Sequence, residues 1–394
     1  MRPEDIRFAS RFDGISGSAI REIFKLLAVP GMISFAGGNP SPDSLPGETC
    51  GKLAEELLRE KGRVLLQYGA TEGYAPLRES LTGYIRESFG VEAAQETILP
   101  TTGSTQGMDL LCKALIDPGD AVIIEDPTFL GNMQCMKLYQ ARLVPVPSDE
   151  DGMDTDALEE AIRREHPKMI YVIPTFQNPT GRTLSLERRK RVAELAEKYG
   201  VVVAEDDPYR DLRYTGNALP SVKSFDRAGM VALLGSFSKV ISPGLRVGFM
   251  NADPLILRKC TIGKQSSDVH TALLNQAIVD RYLRDGLLRP HISEICDMYR
   301  EQMNAMLSDL KNLSGVESYT RPEGGLFVFV QLREGMNASE LLLKCVKKKA
   351  AYVPGTHFYA FGGHENTFRL NFSMSSVKDI HRGMEILDSV FSAQ

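Results

Sequence analysis

No stretch of this 394-residue chain approaches the roughly 20 consecutive apolar residues that a membrane-spanning helix needs. The opening Met1-Arg-Pro-Glu-Asp-Ile-Arg7 has no apolar core or cleavage site, so no leader or membrane association is expected. Strong charge of one sign is lacking as well. Lys and Arg number 46 against 51 Asp and Glu, a net charge of -5 with both signs interspersed, which argues against a nucleic-acid surface or a polybasic patch. Six cysteines (Cys50, Cys112, Cys135, Cys260, Cys296 and Cys345) stand singly, without the paired spacing of a zinc or redox motif. The six histidines include no pair at helical ligand spacing, so no metal centre is expected. Repeats and low-complexity linkers are absent from the sequence. A reducing cytoplasm is the expected compartment.

What is present is an ordinary soluble composition, 43% hydrophobic and 25% charged, in a chain long enough for one large domain and a smaller one. The most informative stretch is Ser236-Phe-Ser-Lys239-Val-Ile-Ser-Pro-Gly-Leu-Arg246-Val-Gly248. It follows Met230-Val-Ala-Leu-Leu234, an apolar run that reads as a buried strand, with Gly235 as its flexible exit. A lysine that attacks an aldehyde must lose its proton. Desolvation and nearby positive charge, here from Arg246, favour that neutral form, and Ser236 can reach a phosphate that the same arginine neutralises. Taken alone, the pattern fits a surface lysine beside a turn equally well.

From about residue 98 strands and helices alternate. Thr101-Thr-Gly103-Ser104-Thr105-Gln106-Gly107 opens a helix, and such a start offers free N–H groups and a positive dipole end to a phosphate, although Ser and Thr are also plain caps. Asp126-Pro127-Thr128-Phe129 follows the strand 121–125; Asn178-Pro179-Thr180-Gly181 follows the strand 169–173; Asp206-Asp207-Pro208-Tyr209 ends the strand 201–205. Ser104, Phe129, Asn178, Asp206 and Lys239 therefore all lie just past strand ends, the edge where open α/β sheets bind ligands. Residues 255–284 read as helical, 287–310 as a long helix, and the remainder as a small α+β unit.

These motifs together resemble the fold-type I aminotransferases that use pyridoxal 5'-phosphate (PLP), in particular the 2-aminoadipate, lysine-biosynthesis and kynurenine branch. The resemblance covers nearly the whole chain. It implies an α/β fold, a mainly parallel seven-stranded sheet with helices on both faces, plus a small α+β domain. The corresponding divisions are 1–45 for an N-terminal helix and arm joining the small domain, 46–286 for the PLP-binding domain and 287–394 for the small domain. It further implies that Lys239 binds PLP covalently, that Ser236, Arg246, Ser104 and Thr105 face its phosphate end, and that Phe129 stacks on the ring where relatives usually have tyrosine. Asp206 would pair with the pyridine nitrogen, while Asn178 and Tyr209 would face the phenolic oxygen. Tyr68, in Tyr68-Gly69-Ala-Thr-Glu-Gly73, would reach the phosphate of a neighbouring subunit, which makes a homodimer with shared sites the expected assembly. Arg369, set between Phe368 and Phe372, would bind the substrate carboxylate; an internal salt bridge is the other reading. Gly38, Asn178 and Arg21 would also meet the substrate. The implied reaction moves an amino group between an L-amino acid and a 2-oxo acid such as 2-oxoglutarate in ping-pong fashion. The amino donor would be acidic, such as 2-aminoadipate or glutamate, with aromatic or branched ones also admitted. A PLP-dependent lyase or decarboxylase on the same fold is the alternative, and a ligand-sensing regulatory domain a more distant one. If Arg21 meets an acidic side chain, Arg21→Ala should reduce kcat/KM for 2-aminoadipate and glutamate more than for neutral donors. Equal losses would remove that role.

Overall fold

The computed structural model describes residues 6–13, 15 and 30–393, so Arg21 and its helix lie outside the described residues. After the short strand β1 (Ile33–Ser34) come α1 (Gly47–Leu65) and α2 (Ala75–Phe89). The large unit then alternates β2 (Ile98–Thr101), α3 (Ser104–Leu115), β3 (Ala121–Asp126), α4 (Leu130–Leu138), β4 (Arg142–Asp149), β5 (Gly152–Met153), α5 (Thr155–Glu165), β6 (Met169–Val172), α6 (Leu186–Tyr199), β7 (Val202–Asp206), β8 (Val231–Ser236) and β9 (Gly248–Asn251). Helices α7 (Pro254–Gln265), α8 (Leu273–Arg284) and α9 (Leu288–Leu310) lead into β10 (Val316–Tyr319), β11 (Phe327–Leu332), α10 (Ala338–Lys347), β12 (Ala350–Ala351), β13 (Val353–Pro354), β14 (Thr367–Asn371) and α11 (Val377–Phe391).

The main sheet has the order β2-β9-β8-β7-β6-β3-β4-β5. It is the seven-stranded sheet implied above, extended at one edge by the two-residue β5. All contacts from β8 to β4 are parallel, while β9 runs antiparallel to both of its neighbours. Strand alternation explains the two helical layers. In β3, Val122 and Ile124 point to a core with Met108 and Leu111 of α3, whereas Ala121 and Ile123 point to one with Leu158 of α5 and Val192 of α6. Strands buried on both faces read as continuous apolar runs, which is why the sequence displays them plainly. The chain steps from β3 out to β4, then returns through β6, β7, β8 and β9. The reversal between β3 and β6 opens a crevice at the carboxyl ends of the strands.

The small sheet, β10-β11-β14-β13, is antiparallel, and β1 pairs with β12 in parallel register, Ile33 opposite Ala350. The segment after residue 30 is thus tied to the C-terminal third of the chain.

Two local expectations change. Residues 255–284 form two helices rather than one, with a break over 266–272 where Asp268 and Thr271 turn their side chains toward Lys264 and Val269 takes φ 64. Gly235 is no flexible exit but part of β8, and its missing side chain makes room for an aromatic ring: a Cβ there would lie 2.2 Å from Cζ of Phe249. Phe249 packs in turn against Phe89, Tyr84 and Phe237. Gly235→Ala should therefore destabilise the protein by on the order of 3 kcal/mol, read as a lowered denaturation midpoint, because a rigid aromatic cluster must shift. An unchanged midpoint would contradict this packing account.

Candidate active site

A cavity of about 360 Å³ opens at the carboxyl edge of the sheet. Its lining includes Gly38, Ser104, Thr105, Phe129, Asn178, Asp206, Tyr209, Ser236, Lys239, Arg246 and Arg369. Residues spread over more than 300 positions converge because each sits on a strand end, on the loop that follows one, on the first turn of α3 (Ser104 and Thr105) or, for Arg369, within β14.

Lys239 donates from Nζ to the carbonyl of Gly38 at 2.7 Å. Burial, together with the positive charges of Arg369 and Arg246, lowers its pKa to about 8. The amine is therefore far closer to its nucleophilic form than an exposed lysine. Arg369 is 2% exposed. It donates to Asn178 Oδ1 (2.8 Å) and the Ala36 carbonyl (2.6 Å), both neutral, and lies over the rings of Phe327 and Phe358. Its Nε has no partner, and burial lowers its pKa to about 10. The internal salt bridge considered above is not among the contacts of the described residues.

Asp206 ends β7. Its Oδ2 accepts from Asn132 Nδ2 (3.0 Å) and the Tyr171 hydroxyl (3.1 Å), while its Oδ1 is buried without a partner. Burial raises the carboxyl pKa to about 6; Tyr171, Ser104 and Asn132, which favour the ionised form, hold that rise in check. Asn132 and Tyr171 escaped the sequence reading. Asn132 lies three residues beyond Phe129 on α4 and Tyr171 within an apolar run, and only tertiary packing brings them to Asp206. Ser238 was also missed, although the sequence held a signal for it in Ser236-x-Ser238-Lys239. Its Oγ accepts from Ser236 Oγ at 3.0 Å.

Arg246 adopts φ 53, uncommon for a residue with a side chain. Its guanidinium makes three contacts of 3.2–3.5 Å, all to neutral oxygens of Ser238, Pro243 and Thr102, leaving donor capacity for an anion. Gly103, at φ 77, precedes α3, and a Cβ there would meet Arg246 Nη2 at 2.7 Å. Phe129 has similar clearance: a Cβ on Gly131 would lie 2.6 Å from its Cζ. Tyr209 is buried, which holds the proton on its hydroxyl, and the Asn178 amide is its neighbour. Tyr68 does not line the cavity of its own chain; it is 80% exposed, with its ring edge against His270.

This donor set has distinct ends. One holds a cation, hydroxyls and a helix start, suited to a phosphate. At the other the Asp206 carboxylate, with one buried and unpartnered oxygen, suits a protonated ring nitrogen, and the activatable amine of Lys239 lines the same cavity. The residues present thus fit PLP, and fold and site together define an α/β enzyme that works with this cofactor. Residues 30–387 match the family model for aminotransferase class I and II. The chain is 44% identical over 377 residues to a 2-aminoadipate transaminase of Thermus thermophilus, covering 95% of this chain and 93% of that protein. It is also 40% identical over 387 residues to aromatic-amino-acid aminotransferase 1 of Thermococcus litoralis, with 96% and 93% covered. The crystal structure of an alpha-aminoadipate aminotransferase from Thermus thermophilus, complexed with N-(5'-phosphopyridoxyl)-L-leucine, superimposes with a TM-score of 0.90 at 41% identity, covering 98% of this chain and 97% of that one. The chain belongs to the class I and II aminotransferases and is PLP-dependent.

In the cofactor-free protein, acylation of Lys239 by an amine-directed reagent should rise with pH about a midpoint near 8, since the lowered pKa populates the neutral amine there. Arg369→Leu should move that midpoint upward. A midpoint in the ordinary lysine range would contradict the site's electrostatics.

Proposed function

We propose that this chain moves an amino group between an L-amino acid and a 2-oxo acid by a ping-pong cycle. Its donors include acidic amino acids such as 2-aminoadipate or glutamate, together with aromatic or branched ones, and the acceptor is a 2-oxo acid such as 2-oxoglutarate. The observation that carries this reading is the pairing, in one cavity, of an amine held near neutrality with a buried guanidinium that has no carboxylate partner among the described residues. The names of the relatives, one for 2-aminoadipate and one for aromatic amino acids, support the breadth of donors.

PLP, when bound, supplies the electron sink for the pair left when a bond to the substrate α-carbon breaks. Lys239 would hold it covalently, and its Nζ would take the substrate α-carbon proton as a neutral amine and give a proton back as an ammonium. Asp206 would keep the ring nitrogen protonated, its carboxylate fixed by Asn132 and Tyr171 through Oδ2. Asn178 and Tyr209 face the phenolic oxygen. Ser236, Arg246, Ser104 and Thr105 take the phosphate end, and Phe129 offers a ring face without the hydroxyl of a tyrosine. Arg369 binds the substrate carboxylate with its planar fork, beside Gly38. Arg21 remains the candidate contact for an acidic side chain. The working unit is a cytoplasmic homodimer in which Tyr68 of the partner subunit completes each phosphate site. Exposed Val64, Leu66 and Tyr68, together with Val269 beside the His270 that Tyr68 touches, give a second copy an apolar surface to cover.

Lys239→Ala should abolish turnover while leaving non-covalent PLP binding; full activity would refute the assignment. Arg369→Lys should raise KM for amino acids about tenfold or more, because one ammonium cannot replace a two-point contact. An unchanged KM would remove the carboxylate role.

A further inference from the structure

The break between α7 and α8 encloses a partly buried polar cluster outside the cavity. Lys264, whose side chain is fully buried, donates from Nζ to Gln106 Oε1 (2.6 Å), Thr271 Oγ1 (3.0 Å) and both oxygens of Asp268 (3.0 Å). Asp268 Oδ2 also accepts from Gln106 Nε2 (2.7 Å) and Thr102 Oγ1 (2.9 Å), and Gln106 Oε1 accepts the Thr102 N–H (2.8 Å). Thr102 is therefore held at its amide and hydroxyl, while its carbonyl accepts from Arg246 Nη2 (3.2 Å). The next three residues, Gly103, Ser104 and Thr105, line the cavity.

The same break holds Tyr68 on its other side. Val269, β-branched yet at φ 64, occupies backbone space that such residues rarely visit. The following residue, His270, accepts the Gly69 N–H at Nε2 (3.1 Å), so its Nδ1 carries the proton toward the Thr271 carbonyl (2.9 Å). Its ring meets that of Tyr68 edge-on, 6.1 Å between centroids. Gly69 seats tightly here, since a Cβ would lie 2.7 Å from Leu273 Cδ2. A strained backbone and a fully buried lysine are costly features for a simple helix connection.

We propose that the Lys264–Asp268 pair positions the phosphate-binding elements on both sides of this loop: the start of α3 through Thr102 and Gln106, and the Tyr68 segment through His270. Neither Lys264 nor Asp268 lines the cavity, so both act through other residues. The inference rests on the phosphate reading of the α3 start and Arg246 given above. It explains why a buried lysine paired with a half-buried aspartate sits beside the loop: the pair fixes the direction of N–H groups that must meet an anion without rearranging.

The test compares dissociation constants of PLP and of pyridoxal, which lacks the phosphate, for the full-length protein and its Lys264→Met, Asp268→Asn and Thr102→Val variants. PLP binding should weaken about 10- to 100-fold while pyridoxal binding stays within twofold, as expected when charge-assisted hydrogen bonds to one group lose alignment. Thr102→Val removes only a hydroxyl and carries the test should the other two fail to fold. Equal weakening of both ligands, or no change in PLP binding, overturns the proposal. A wild-type protein that binds PLP no better than pyridoxal would instead overturn the phosphate reading beneath it. For the second arm, His270→Ala should weaken PLP binding in the wild-type background but not in Tyr68→Phe. Additive losses overturn that arm.

Discussion

Lys239 and Arg369 share one buried cavity, and among the described residues no carboxylate contacts either side chain. Placing two cations together away from water is expensive, and the surroundings answer the cost in different ways. The lysine answers by moving toward its neutral form, which is what a nucleophile requires. The guanidinium keeps its charge, leaning on two aromatic faces and two neutral oxygens, and leaves Nε unsatisfied. An anionic group entering between them relieves the strain. An uncompensated guanidinium and a lysine shifted toward its neutral form are thus two consequences of one electrostatic arrangement.

The sheet makes this arrangement possible. Parallel strands buried on both faces leave only their carboxyl ends free for polar side chains, and the reversal between β3 and β6 separates those ends enough to hold a ring. Asp206, at the end of β7, shows how closely the edge is controlled. One oxygen is pinned by Asn132 and Tyr171 and the other is buried without a hydrogen-bond partner. The glycines contribute clearance: Gly235 admits Phe249, Gly103 admits Arg246, and Gly131 admits Phe129.

The residues that line the cavity were legible in the sequence wherever the signal was local. Ser236-x-Ser-Lys239 with Arg246 following, Asn178 in its Pro-Thr-Gly turn, and Asp206 with Tyr209 three residues on each announce themselves beside an apolar run, because strand ends are marked by the change from apolar to polar residues. The parallel strands were legible for the same reason. Asn132 was not, since an asparagine on a helix carries no sign that the helix will fold over the end of another strand. Nor was the break at 266–272, where α7 and α8 have good helical patterns and the side chains of Asp268 and Thr271 meet Lys264 through tertiary packing that the pattern does not show. Gly235 was read as a hinge because sequence shows a glycine's freedom but not the ring that occupies its missing side chain.

The most direct test of the account is the absorption spectrum of the purified PLP-loaded protein as single amino acids are added without any oxo acid. Transamination predicts that the yellow colour of the bound cofactor bleaches with glutamate, 2-aminoadipate or aromatic donors, and that 2-oxoglutarate restores it. A spectrum that shifts on binding but never bleaches, or that bleaches only with release of ammonia or carbon dioxide, would contradict the transfer reaction and point to lyase or decarboxylase chemistry on this fold.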